Sequence, residues 1–123
     1  MANDFRVITF AAEPSNTADG QEYHVYTTPS STTTVVIGLI LTNLHTSQVT
    51  AEVELVSTTA VGSTGRAAQN GISFLVKNAP IPVGASLELL SGGKVILETG
   101  DLLRVDCSVA DMLSGTLSIM EIT

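Results

Sequence analysis

Hydrophobic and polar positions alternate along most of this chain with a period of two, the pattern of strands that bury one face and wet the other. Val49, Ala51, Val53 and Leu55 fall on one side, and Thr50, Glu52 and Glu54 on the other, because successive strand side chains point to opposite faces. Leu103, Val105, Cys107 and Val109 alternate in the same way with Arg104, Asp106 and Ser108. Ile72, Phe74 and Val76 alternate with Ser73 and Lys77. The apolar set of each strand is expected to face the core, and the charged set to face water. Two further strands are read near residues 5–10 and 23–28.

Turn chemistry appears where the alternation breaks. Ser91-Gly92-Gly93-Lys94 separates two short apolar runs, and Gly-Gly suits a tight hairpin because positive φ costs glycine little. Gly100-Asp101 offers a second turn, so residues 86–109 are predicted to form a three-stranded meander. Leu44-His45-Thr46-Ser47 predicts a hairpin between residues 35–44 and 48–56, and Ser114-Gly115 leads into a last strand at 116–122. The resulting fold class is all-β: one antiparallel β-sandwich or jelly roll of about eight or nine strands over residues 1–123. Residues 1–26 supply the N-terminal strands.

Three segments add detail. The uncharged run 35–41 is apolar on both faces, so it is expected to lie centrally in a sheet or under a neighbouring subunit. Residues 57–71 form a long polar, Gly-rich loop, and Pro80 and Pro82 mark residues 78–84 as an extended crossover.

Composition narrows the function. A length of 123 residues suits one core, and 44% hydrophobic against 14% charged residues argues against disorder. The formal charge of −7 repels phosphate backbones and anionic lipid, so neither nucleic acid nor membrane is an expected partner. No basic-then-apolar leader opens the chain and its longest apolar run is far short of a membrane span, so synthesis in a cytoplasm is expected.

Candidate chemistry is sparse. Of the two histidines, His24 sits in a strand pattern and His45 in a turn, with no nucleophile motif around either. Cys107 is the one cysteine and falls on the apolar register, where burial keeps a thiol inert. Glu52 with Glu54, and Asp101, Asp106 and Asp111, could be imagined as an acid/base pair or a calcium site, but their spacing matches no calcium loop and reads as a solvated face. No catalytic residue, metal site or cofactor is expected, and no enzymatic activity. Three Phe, two Tyr and no Trp make a sugar-stacking platform a weaker reading.

The runs TTPSSTTTVVIGLILTNLHTSQVTAEVEL, FLVKNAPIPVGASLELL and GGKVILETGDLLRVDCSVADMLSGTLSIMEIT resemble small virion structural proteins of tailed phages, of the marine and cyanobacterial type. The likeness spans residues 27–123, and its most specific pieces are residues 76–84, 97–101 and the ending Met120-Glu121-Ile122-Thr123. The resemblance implies a subunit made in the host cytoplasm that assembles into a virion with itself and with other capsid, neck or tail proteins. A capsid decoration (cement) protein is the first expectation, since the chain has no fibre repeat or heptad. A neck or tail appendage component, or a receptor- or carbohydrate-binding module, is the alternative. Subunit contacts are expected where the core constrains the chain least: Ser63, Thr64, Arg66, Gln69 and Asn70 in the long loop, and Asn78, Pro80 and Pro82 in the crossover.

Overall fold

The computed structural model describes residues 2–13, 23–57, 71–90 and 93–123. Among them are nine strands and no helix: β1 (Asn3–Glu13), β2 (Tyr23–Thr27), β3 (Thr33–Asn43), β4 (Val49–Val56), β5 (Ile72–Ile81), β6 (Ser86–Leu89), β7 (Val95–Leu97), β8 (Leu102–Cys107) and β9 (Leu113–Ile122). They make two antiparallel sheets. The first runs β1-β9-β3-β6 with β7 also on β3, and the second runs β2-β8-β4-β5.

The pairing is nested. β1 pairs with β9, β2 with β8, β3 with β6 and β7, and β4 with β5. The strands therefore pair as one long two-stranded ribbon, whose last described pair is Val56 with Ile72, closed by the Ser57 amide donating to the Gly71 carbonyl at 2.9 Å. Rolling that ribbon lays β9 beside β3 and β8 beside β4. This is the jelly-roll form of the sandwich, which leaves β1, β6 with β7, β2 and β5 at the sheet edges.

Between the sheets lies an aliphatic core that includes Val36, Leu39, Leu41, Val53, Leu97, Leu103, Val105, Leu113, Leu117 and Ile119, all essentially inaccessible to water. The run 35–41 is central, with β9 on one side and β6 and β7 on the other, which answers its lack of charge. Gly115 is needed there. A Cβ at that position would stand 2.4 Å from the Phe10 ring, closer than packed atoms approach.

Several expectations are corrected. Residues 86–109 are not a meander: β6 and β7 lie end to end along β3, as one interrupted strand, and β8 belongs to the other sheet. The turn at 98–101 is present, with Gly100 at φ 90° and the Asp101 amide donating to the Glu98 carbonyl at 2.9 Å, but it carries the chain between sheets. Likewise residues 44–47 join β3 to β4 across the sandwich rather than within a hairpin. The Asn43 side chain holds that corner, its Nδ2 donating to the carbonyls of Ser47 (3.0 Å) and Ile81 (2.9 Å), while its Oδ1 accepts the His45 amide (2.7 Å). Turn residues announce that a strand ends, whereas the sheet its successor joins is decided by core burial far along the chain.

The register of β5 also differs. Ile72 and Phe74 are exposed, and Leu75 with Val76 packs partly against the core, because pairing jumps from Val53↔Val76 to Glu54↔Phe74 and leaves Leu75 extra. On the β4 and β8 faces expected to be solvated, Glu54 and Asp106 are buried. Arg104 Nη2 lies 2.9 Å from Glu54 Oε2, and Asp106 Oδ1 accepts the Cys107 amide at 3.0 Å.

Candidate functional site

Sheet register sorts the outer surface into two unlike faces. On the second sheet, Glu54 and Arg104 are cross-strand neighbours, as are Glu52 and Asp106, and His24 is opposite Arg104 on β2. Lys77 Nζ sits 3.4 Å from Glu52 and 4.3 Å from the centroid of the Phe74 ring. This face is charged and largely paired.

The outward side of the first sheet carries exposed apolar residues among small hydroxyl side chains such as Thr33, Thr42, Ser114, Thr116 and Ser118. Phe5 pairs with Met120, Met120 with Val35, and Val35 with Ile96, so one uncharged row crosses the whole sheet from β1 to β7. Phe5 is 74% exposed, Val7 64% and Ile96 61%, with Ile37 and Ile40 also exposed on β3. Charges border this row: Glu88 stands opposite Ile40, and the exposed Glu98 carboxylate accepts from the Thr33 hydroxyl at 3.4 Å. Single exposed apolar residues are ordinary, but a contiguous band of them marks a contact surface.

A cleft of about 290 Å³ opens in the same face, lined by Ile37, Gly38, Leu89, Leu90, Thr116 and Ser118. Its origin is the interrupted strand. β7 pairs with β3 up to Val36 and β6 resumes at Leu39, while β3 bulges at Ile37 opposite β9 and Gly38 contributes no side chain to fill the gap.

A polar clasp ties the two sheets together at the β1 side. Tyr26 Oη on β2 donates to Glu121 Oε2 on β9 at 2.6 Å, and Arg6 Nε on β1 donates to Glu121 Oε1 at 2.6 Å. Thr34 Oγ1 on β3 stands 2.8 Å from Tyr26 Oη, and since the tyrosine proton is committed to the carboxylate, the threonine is the donor. The Tyr26 and Arg6 hydrogen bonds hold the Glu121 carboxyl below its ordinary value of 4.5, and burial with the Glu121 hydrogen bond pushes the Tyr26 phenol up to about 12. The stability that Glu121 contributes is lost as pH falls, because the unfolded chain takes up the proton first; that from Tyr26 is complete below pH 10 and lost as pH rises through about 12. Tyr26→Phe is expected to cost about 2 kcal/mol at neutral pH and to weaken the loss of stability on acidification. Urea unfolding of both proteins between pH 3 and pH 7 checks it.

The sequence-derived contact residues fall in two groups. Ser63, Thr64, Arg66, Gln69 and Asn70 lie outside the described residues. Asn78, Pro80 and Pro82 are exposed at the end of β5. There Asn78 adopts φ 52° in a bulge between Val76 and Ala79, a conformation asparagine tolerates. Bulge and proline together blunt this sheet edge against strand addition. The crossing to the first sheet is made just beyond, by the turn in which the Ala85 amide donates to the Pro82 carbonyl at 3.1 Å. His45 belongs to the Asn43 corner, and Asp101 Oδ2 accepts the Glu98 amide at 3.0 Å as part of its turn. No group of three or more potential metal ligands occurs among the described residues, and no helix among them is long and apolar enough to cross a membrane.

The exposed band of Phe5, Val7 and Ile96 was missed from sequence, although each residue is apolar at an alternating strand position. Comparison with protein-family models, with curated proteins and with solved structures finds no match to this chain.

Proposed function

We propose that this protein is a non-enzymatic structural subunit of a tailed-phage virion, a capsid decoration protein present in many copies. The observation that carries the reading is the exposed apolar row across the β1-β9-β3-β6 sheet, with Phe5, Val7 and Ile96 each more than 60% exposed, which is suited to docking on another protein surface. The fold adds a weaker, fold-level analogy, since jelly rolls serve both viral capsid and lectin domains. The sequence resemblance to virion proteins directs the choice between them.

Imaging of purified particles carrying a labelled copy tests the reading. A decoration protein gives signal over the whole shell, a neck or tail component gives it at one vertex or along the tail, and a protein missing from purified particles overturns the assignment. Shortening the segment 57–71 is expected to leave the fold intact, since loop length costs little, and to lower occupancy on particles. Full occupancy of the shortened protein would show that this segment is not the contact surface.

A further inference from the structure

We infer that the apolar face of the first sheet is a homotypic interface, occupied by the same face of a second copy related by a two-fold axis that runs along the strands between β9 and β3. The inference rests on the reading of this chain as an assembly subunit and names the surface that would perform it.

The register makes the face complementary to itself. The uncharged row is ordered Phe5, Met120, Val35, Ile96 from β1 to β7. A two-fold axis along the strands reverses that order in the second copy. Phe5 then meets Ile96 of the second copy, Met120 meets its Val35, and each contact occurs twice, as an isologous interface requires. The next level works in the same way. Val7 pairs with Ser118 and Ser118 with Gly38, so Val7 stands level with the gap between β6 and β7. In the second copy it is carried over the outer half of the 290 Å³ cleft, beside Leu90. The strand directions remain aligned, which is the common geometry of packed sheets.

Size and charge favour the same occupant. Four strand positions at about 4.8 Å and ten residues at about 3.3 Å give a face on the order of 650 Å² per copy. Two such faces exceed the roughly 1,000 Å² of total buried surface that a specific interface needs. Each chain carries a net charge of −7, so two copies repel unless they meet where carboxylates are scarce. The row Phe5, Met120, Val35, Ile96 is itself uncharged, with Glu88 and Glu98 on the β6 and β7 side of it, whereas the outer side of the other sheet brings Glu52, Glu54 and Asp106 together on two adjacent strands.

Sedimentation of the intact chain from about 1 μM to about 100 μM is expected to show a concentration-dependent dimer. Val7→Asp, at an exposed position, should keep the all-β circular dichroism and raise the dissociation constant about a hundredfold or more. Ile72→Asp on β5 should leave dimerisation unchanged. The double variant Phe5→Cys/Ile96→Cys gives an independent readout. Within one copy these positions are three strand spacings apart, about 14 Å, beyond the reach of a disulfide, so oxidation should yield covalent dimers. A chain monomeric over the whole range, or a dimer indifferent to Val7→Asp and not cross-linked, overturns the inference. A monomer whose Val7→Asp variant is lost from particles assigns the face to a different virion protein and also overturns it. A dimer that is missing from particles leaves the interface standing and removes the virion reading instead.

Discussion

Val105→Asp is expected to destabilise the protein by about 4 kcal/mol or more, enough to leave a domain of this size largely unfolded. Val105 is 1% exposed in the middle of the second sheet, paired with Tyr23 on one side and Val53 on the other. A carboxylate there loses its water and gains no cation, since the neighbours on the inner side are aliphatic or aromatic. Urea unfolding followed by circular dichroism measures the loss. The adjacent position gives the contrast that sequence alone misjudges. Alternation makes Asp106→Ser close to neutral, whereas the buried Asp106 carboxylate accepts the Cys107 amide, so a loss of about 1–2 kcal/mol is expected. Equal stability of Val105→Asp and the parent would place residue 105 on the outer face and invert the register of β8.

Leu117→Ala is expected to cost about 3–5 kcal/mol. Leu117 is fully buried on β9 between Ile8 of β1 and Leu39 of β3. β9 has a paired strand on each side, so it has little freedom to collapse into the cavity left by the missing atoms. Ile96→Ala removes similar atoms from the outer face of the same sheet and should change monomer stability by no more than about 0.5 kcal/mol, because Ile96 is already 61% exposed. Its effect belongs to assembly, read as weakened dimerisation at unchanged stability of the dilute, monomeric protein, since dimer formation itself raises the thermal midpoint. A large stability loss in Ile96→Ala would mean that this residue is part of the core and not of a contact surface.

The two substitutions separate what alternation can and cannot reveal. Phe5, Val7 and Ile96 have the same apolar character as Leu39 or Leu117, and a strand with both faces apolar carries no internal mark of which face is inside. Lack of charge in Val35–Leu41 excluded an uncovered edge and left a central place or a covering subunit; the pairing with β9 on one side and β6 and β7 on the other makes it central. Its outward residues, Ile37 and Ile40, were not legible as a surface, because that depends on the bulge at Ile37 and on the break between β6 and β7. The Arg6–Glu121–Tyr26–Thr34 clasp joins residues up to 115 positions apart, and no local pattern connects them.

By itself the sequence determined that this protein is all-β, where most of its strands run, and that Leu103, Val105 and Cys107 face inward, since a period of two is a local property of backbone geometry. It also placed the chain reversals near 44–47 and 98–101, the first as a short polar break between apolar runs and the second through Gly100-Asp101, both local signals. Only the tertiary structure decided that these reversals cross between sheets, that β6 and β7 form one broken strand, that Glu54 and Asp106 are buried, and that an apolar row lies exposed across one outer face. Those outcomes depend on which distant strands share a core, and pairing across long loops is set by the burial the whole ribbon achieves when it rolls, not by any segment within it.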